Sequence, residues 1–489
     1  MKYITEAERQ ARQGNAAKMR FVESAIDKWA KTDIAGLDLI KLREKSISRA
    51  SVAAVAVENQ ERHFKMLTES QLSTAFGTAL RPEHLLKATY IGSAQSKLAD
   101  MFTVVPLAST DDVFMYVYAN NASTQRGSTA NERTFETQSP YYPGEQSIPT
   151  DMNGNIDGSN KTFDYTIPVL PVIPLWVRVF VNDALVGIDN GSGTIINYNG
   201  GTGINTSATN TVDYNTGAVT VNFATAPATG STVTLQWNSS LESKTNFDAY
   251  AGQITLELRK ERFNARPFPL GFDYSMMTQV MLDTDQIGNA HELLTNAVAQ
   301  SLAKAKDERG IRFVSQIART NAIRTFNTDF GTAGAVDRKL WKNNVKNSIN
   351  NISAEITNDT QRGEVNKIVG APLAIAYIRD VDGFVPDNSE AGYAGARKVG
   401  TLDGMEVFQI PVNSAGSAGL ANNELMLTFS NPMTPQDCPA IFGDLTTLSA
   451  ELTFPQLNTQ GTLASVCDQR MINNKFARIL QLSNLTYNI

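Results

Sequence analysis

The feature that most constrains the fold is an abrupt change in composition. Between about residue 146 and residue 241, Gly, Asn, Thr and Ser dominate and charged residues are few. This segment contains Asn-Gly pairs, which readily take positive φ and connect short strands. Its apolar residues occupy every second position in three runs. These runs are Val177, Val179 and Val181; Val219, Val221 and Phe223; and Val233, Leu235 and Trp237. The alternation predicts an all-β sandwich. The different composition of the sequence on both sides predicts that the sandwich is inserted into another domain.

Overall composition excludes several classes of protein. A chain of 489 residues is too long for one ordinary core, and its 42% hydrophobic and 19% charged residues indicate that the whole chain folds. The net charge of -6 argues against a dedicated nucleic-acid binder. Cys438 and Cys467 are too few and too far apart for a disulfide framework. The N-terminus lacks an apolar signal region, and no stretch approaches about 20 apolar residues, so secretion and membrane embedding are not expected.

Helical patterns flank the β segment. Residues 5–31 form a predicted amphipathic helix, with Thr5 and Glu8 at capping-box spacing and Phe21, Ala25 and Trp29 one turn apart. The basic residues within this helix and beyond it, to about residue 65, are interpreted as a solvated helix face rather than a polyanion contact. They are Arg9, Arg12, Lys18, Arg20, Lys41, Arg43, Lys45 and Arg49.

The strongest helix pattern runs from Asn289 to about Ile317. Gly310 lies inside it and predicts a kink or a weak point. Its apolar stripe consists of Leu294, Val298, Leu302, Phe313 and Ile317.

Strand patterns lie directly beside the insert. Residues 113–119 alternate before it, and residues 253–262 alternate after it with one charged face. The remainder mixes short helices and strands without βαβ repetition, which predicts an α+β fold. Its predicted elements are an apolar run at 368–378, a turn leading into a strand at 402–407, and strands at 425–429, 448–454 and 478–482.

Catalytic motifs are weak in this sequence. His63, His84 and His291 lack helix-spaced partners, so a zinc site is not expected. Ser417 lies in a variant of GxSxG, but this stretch follows Pro411 in a small-residue loop and opens no helix. No phosphate-binding GxxxxGK[ST] or GxGxxG motif occurs. We therefore predict no catalytic, cofactor-binding or metal-binding residue, no cofactor, and no enzymatic activity.

One polar stretch has the spacing of a calcium loop. Its oxygen-bearing residues and turn glycine fall near positions 1, 3, 5, 6 and 12, but the first and last positions are atypical and no helices flank it. A β-turn with Asx hydrogen bonds is the favoured interpretation. The residues are Asn153, Asn155, Asp157, Gly158 and Asp164.

Without the insert, the order of elements resembles the Hong Kong 97-type fold of tailed-bacteriophage major capsid proteins. The resemblance covers about 66–145 and 241–489, and the stretch from Gly400 to Val412 looks like that family's A-domain. It implies a helical arm, a two-stranded E-loop, a spine helix, an A-domain and closing P-domain strands. The implied boundaries are 1–65 for the arm, 66–145 for the first core part with one E-loop limb, 146–241 for the insert, 242–288 for the second limb, 289–320 for the spine helix, 321–445 for the A-domain and 446–489 for the closing strands.

The insert itself resembles a β module of phage structural proteins. The stretch from Val212 to Pro227 carries this likeness, together with the stretch from Ile156 to Phe163. No residue matches a cross-linking lysine or asparagine of the capsid family.

The resemblance implies a head shell built from copies of this chain as hexamers and pentamers, because an E-loop over one neighbour and an arm beneath another bury surface between subunits. It also implies scaffold, portal and decoration partners, packaged DNA near the inner face, no membrane, and assembly in the host cytoplasm into a virion. The alternative is another virion or adhesion protein whose sandwich binds carbohydrate.

Overall fold

The computed structural model describes most of the chain as two compact units. The first contains Met1–Tyr116 and Leu258–Ile489, and the second is Val117–Glu257. The described residues are 20–30, 39–69, 82–121, 150–198, 203–240, 242, 254–275, 281, 290–329, 338–360, 363–387, 395–411, 419–431, 437–453 and 458–485. Mixed helices and sheets confirm the α+β prediction.

The first unit begins with a cluster of helices rich in alanine and valine. Small side chains on α3 are buried on nearly every side, so neighbouring helices approach it closely. Ala25 and Trp29 join this cluster from the first helix, as their spacing predicts, whereas Thr5 and Glu8 lie outside the described residues. The helices are α1 (20–30), α2 (Leu39–Lys45), α3 (Ile47–Glu69), α4 (Pro82–Ala94) and α5 (Leu98–Met101).

A four-stranded sheet forms the centre of this unit, in the order β1-β19-β20-β12. Its strands are β1 (Thr103–Pro106), β12 (Arg266–Ser275), β19 (Ala440–Thr453) and β20 (Asn458–Met471). The long helix α6 (Ala290–Ala318) confirms the helix predicted at 289–317. Sequence reasoning missed β20, and the predicted boundary at residue 446 falls inside β19 rather than between elements.

A seven-stranded sheet follows, in the order β13-β21-β18-β14-β17-β16-β15. The last strand, β21, enters this sheet between β13 and β18. Helices α7 (Arg338–Thr360) and α8 (Pro372–Arg379) contribute buried residues to its core. The strands are β13 (Arg324–Asn327), β14 (Lys367–Gly370), β15 (Phe384–Pro386), β16 (Arg397–Leu402), β17 (Met405–Gln409), β18 (Glu424–Thr428) and β21 (Ala477–Ser483).

The predicted apolar run at 368–378 thus forms strand β14 and helix α8. The turn predicted at 402–407 is the turn of a hairpin between β16 and β17. Asp403 and Gly404 both have positive φ, at 47° and 87°, which allows β16 to turn directly into β17.

The second unit contains the predicted insert, in which two sheets share one apolar core. The inward positions of all three predicted alternating runs lie in that core, as the pattern predicts. Gly154 and Gly191 have positive φ, whereas Asn199-Gly200 lies outside the described residues. The five-stranded sheet has the order β3-β10-β5-β6-β7 and the three-stranded sheet β4-β9-β8. The strands are β3 (Thr150–Asp151), β4 (Thr162–Thr166), β5 (Arg178–Val181), β6 (Ala184–Asp189), β7 (Ile195–Asn197), β8 (Thr211–Val212), β9 (Ala218–Asn222) and β10 (Val233–Gln236).

Candidate assembly elements

The strands that flank the insert pair with each other into a two-stranded ribbon. These are β2 (Asp111–Asn121) and β11 (Ile254–Asn264), and the pairing confirms that the patterns at 113–119 and 253–262 are partner strands. A ribbon without further strands offers its remaining backbone edges and side chains for contacts outside the sheet.

An exposed ion pair joins one end of the ribbon. Arg262 Nε donates to Asp111 Oδ1 at 2.7 Å, and Nη2 of the same guanidinium contacts Oδ2. The pKa of Asp111 lies below its usual value chiefly because of this hydrogen bond. The charged faces of the two limbs also predict that Arg259 and Arg262 on one limb, and Arg126 and Arg133 on the other, contact a neighbouring subunit. Within the described residues, Arg262 has a partner in its own ribbon. The side chain of Arg259 lies outside the described part of the chain, as do Arg126 and Arg133.

The apolar stripe of α6 packs on the four-stranded sheet. Val298 and Leu302 lie against Leu463 of β20, with Leu270 of β12 and Ile91 of α4 beside them. The side chain of Leu294 is outside the described set.

Gly310 does not interrupt α6, contrary to the predicted weak point, because the helix continues to Ala318. A Cβ at this position would overlap Leu98 Cδ1. A larger residue here would therefore require the Leu98 side chain to shift.

Two consecutive charged residues of α6 are buried, which the sequence analysis missed. Lys306 Nζ forms an ion pair with Asp444 of β19, and the two side chains are 8% and 2% exposed. Asp307 accepts hydrogen bonds from Ser96 Oγ at 2.6 Å and from the backbone N–H of Lys97 at 3.0 Å. Burial raises the pKa of Asp307 to about 6, although these hydrogen bonds work in the opposite direction. Both residues thus fix α6 to distant parts of the chain.

The described part of the predicted N-terminal arm packs on its own chain. The Asn59 amide of α3 donates to the carbonyls of Leu107 and Leu445, at 2.9 and 2.8 Å. Thr446 Oγ1 donates to the Ala56 carbonyl at 3.0 Å. Helix α3 is therefore a part of the core rather than an extended arm, because its small apolar residues need burial on several sides.

Arg49 corrects the interpretation of the basic run as a solvated face. Its guanidinium is buried, donates to the Ala94 carbonyl at 3.0 Å and contacts Asp100 at 3.2 Å. It thereby satisfies a carbonyl at the end of α4.

A pair of lysines holds Glu406 in the seven-stranded sheet. Lys367 contacts one oxygen of Glu406 at 2.9 Å, and Lys398 contacts the other at 2.6 Å. Burial tends to raise the pKa of Glu406, but the two cations outweigh it and leave the pKa below its usual value. These three groups cross-link three adjacent strands.

The candidate calcium stretch folds as the turn that was favoured. Asp157 Oδ1 accepts from the backbone N–H groups of Ser159 and Asn160, both at 2.9 Å. These bonds, together with the Ser159 hydroxyl, lower the pKa of Asp157. The carboxylate is thus satisfied by its own turn, as in an Asx turn.

The weak catalytic candidates fall outside the described side chains. Ser417 lies outside the described residues, and the side chains of His63, His84 and His291 are not among those the structure describes. Within the described ranges, no cluster of three His, Cys, Asp or Glu side chains could hold a metal ion. No helix in those ranges is long and apolar enough to cross a membrane.

Comparison with known proteins gives a match at the level of a family. The model of a family described as Major capsid protein Gp23 matches residues 98–419, about two thirds of the chain. This range begins at α5 and contains the ribbon, the insert, α6 and most of the seven-stranded sheet. A search of curated proteins gives no match.

Solved capsid structures give only distant likenesses. The capsid of Myoviridae phage XM1 is 12% identical with a TM-score of 0.32, over 50% of this chain and 81% of that one. The mature capsid of bacteriophage PhiM1 is 12% identical with a TM-score of 0.29, over 47% and 76%. The capsid of cyanophage P-SCSP1u is 11% identical with a TM-score of 0.31, over 50% and 80%. At these scores the likenesses add nothing to the family match.

Proposed function

This chain belongs to the Gp23 family of major capsid proteins, and from this premise we propose that its copies close into an icosahedral shell around a phage genome. Membership makes the chain a structural protein of the virion, which confirms the predicted function. Hexamers and pentamers, assembly in the host cytoplasm, and the lack of an enzymatic role are parts of the proposal. So are scaffold, portal and decoration partners and packaged DNA on the inner face.

The observation that carries the proposal is the family match across residues 98–419. The ribbon of β2 and β11 supplies the physical means, because a two-stranded extension can lie on a neighbouring copy and bury surface between subunits. Such contacts are individually weak, and a closed shell repeats each of them at every copy.

Electron microscopy of the purified full-length chain tests the proposal directly. Closed particles of uniform size are expected, and small soluble oligomers at all protein concentrations would contradict shell formation.

The role of the ribbon is tested by exchanging its two charges. Arg262→Asp places two carboxylates together at the end of the ribbon and is expected to reduce particle yield, with little effect on folding because the pair is exposed. The double variant Asp111→Arg with Arg262→Asp restores opposite charges and is the matched control. Equal particle yields from the single variant and the wild type would exclude a role for this pair in assembly.

We also propose that residues 146–241 fold as an autonomous domain, supported by the shared apolar core of their two sheets. The isolated fragment should show strand-type circular dichroism and a cooperative melt. A fragment without a melting transition would contradict this proposal and leave the capsid function unaffected.

A further inference from the structure

One face of the insert is more apolar than the outside of a β-sandwich normally is. On β5, Val177 and Val179 point into the core, and Arg178 and Phe180 therefore point outward. Arg178 pairs with Ile188 of β6, and Ile188 pairs with Ile196 of β7, so these three lie in one row. Phe180 pairs with Leu185 in the next row. We call Trp176, Arg178, Phe180, Leu185, Ile188 and Ile196 the outer face.

Two large side chains of the outer face, and Leu175 beside it, are open to solvent. Trp176 is 46% exposed, Ile196 40% and Leu175 63%. The guanidinium of Arg178 lies 5.5 Å from the centre of the Trp176 ring and holds this ring beside the start of β5. The exposed face of an antiparallel sheet is usually polar, whereas a contiguous apolar patch indicates an interaction site.

The backbone is built to present Leu175 and Trp176. Leu175 has φ of 71°, a left-handed conformation that is unfavourable for a bulky residue. Its N–H donates at 2.7 Å to Oδ2 of Asp189, which is 1% exposed. Oδ1 of the same carboxylate accepts from the Gly191 N–H at 3.0 Å and from the Tyr214 hydroxyl at 2.8 Å. Backbone strain that a buried network maintains is typical of functional positions.

We propose that the outer face, with Leu175, binds a second copy of this chain in the assembled shell. The inference rests on the proposed shell function. The size of the patch favours this occupant. Leu175, Trp176 and Ile196 are 63%, 46% and 40% exposed. Even a large aromatic side chain buries at most about 250 Å², so these three present well under the roughly 800 Å² per partner of a stable free complex. Such a contact is effective where other contacts already hold many copies in place.

Charge supports the same occupant. Residues 146–241 contain six aspartates and two basic residues, Lys161 and Arg178. Arg178 is therefore a cation in a mostly acidic domain, and neighbouring copies offer acidic surface that complements it. The exposed aspartates are Asp151, Asp157, Asp164, Asp183 and Asp213.

A photo-crosslinking phenylalanine analogue in place of Trp176 tests the contact in full-length assembled particles. Illumination is expected to give a denaturation-resistant species of twice the mass of the chain, with the cross-link mapped to a second copy. Attachment to another protein, a cross-link within one chain, or no cross-link would each overturn the inference. Electron microscopy of wild-type particles tests shell formation by itself. A failure of the proposed shell function can therefore be distinguished from a failure of the proposed contact.

A second experiment uses Trp176→Ser combined with Ile196→Thr. Unassembled protein should keep the wild-type melting temperature, because both side chains are exposed, and assembled particles should dissociate at lower temperature or lower urea concentration. Val385→Thr, at a position 63% exposed in the other unit, is the matched control. Particles as resistant as the wild type would contradict the proposed interface.

Discussion

The core of the insert and the core around α6 reach the same degree of burial in different ways. In the insert, apolar residues alternate along short strands, and β5 and β6 are joined by a tight turn at Asn182-Asp183. Around α6, buried polar groups connect residues far apart in the chain, as between Lys306 and Asp444. The contrast teaches that the insert is specified by local pattern, whereas the larger unit depends on long-range hydrogen bonds and ion pairs.

The largest effect that would sharpen this contrast is expected from Lys306→Met. The substitution leaves Asp444 charged and buried without its partner, which should cost about 3–5 kcal/mol of unfolding free energy. Urea unfolding of unassembled protein measures the change. Lys304→Met removes an exposed lysine from the same helix and should cost little.

Adding Asp444→Leu to Lys306→Met should restore most of the loss, because the unpaired charge is then gone. If both single lysine variants unfold at the same urea concentration, the buried pair has no special role.

Val298→Asp should have the next largest effect. Val298 packs against Leu463 and Leu270, so a carboxylate there lacks a partner, and we expect a loss of roughly 3 kcal/mol. Thermal unfolding measures it. Ala297→Asp, one residue away on the exposed side of α6, is the control and should melt near the wild type. Equal melting of the two variants would show that the stripe is not packed as described.

Within the insert, Asp189→Ala should break a buried polar network. Removing this carboxylate leaves the Tyr214 hydroxyl and the Leu175 and Gly191 N–H groups without their acceptor, at a cost of about 2 kcal/mol. Asp213→Ala, in an exposed turn, should cost less. Calorimetry of both variants makes the comparison, and equal losses would show that the Asp189 network is dispensable.

The smallest expected effect is a pH dependence that belongs to the α6 region. The pKa of Asp307 is raised to about 6 from its usual 3.8, so between these values the folded chain holds a proton that the unfolded chain has lost. This contribution to stability is present at low pH and is lost as the pH rises through about 6, by roughly 1 kcal/mol between about pH 5 and 7.

Asp307→Asn should remove this component from the pH profile of the melting temperature. Asp157→Asn should leave the component in place, because hydrogen bonds lower the pKa of Asp157 and move its titration away from this pH range. Identical profiles for wild type and Asp307→Asn would contradict the assignment.

The sequence predicts regular apolar patterns well, as in the insert, and buried long-range polar contacts poorly, as around α6. Alternation located the strands of the insert and both limbs of the ribbon, and the spacing of apolar residues located α6 to within a residue or two. Strand β20 was missed because Ser465, Cys467 and Asp468 interrupt its apolar pattern, although its residues 463–466 are buried. The burial of Arg49, Lys306 and Asp307 could not be predicted either, since charged residues on a helix usually face solvent and their partners lie far away in the sequence.

The position of β21 in the seven-stranded sheet has a consequence for synthesis on the ribosome. This strand, Ala477–Ser483, lies between β13 and β18, so neither neighbour is paired across that gap until residues 477–483 have left the exit tunnel. All strands of the insert lie between Thr150 and Gln236, so the insert is synthesised long before β21, by on the order of ten seconds or more at ordinary translation rates. A nascent chain therefore carries a complete insert while the seven-stranded sheet is still open between β13 and β18.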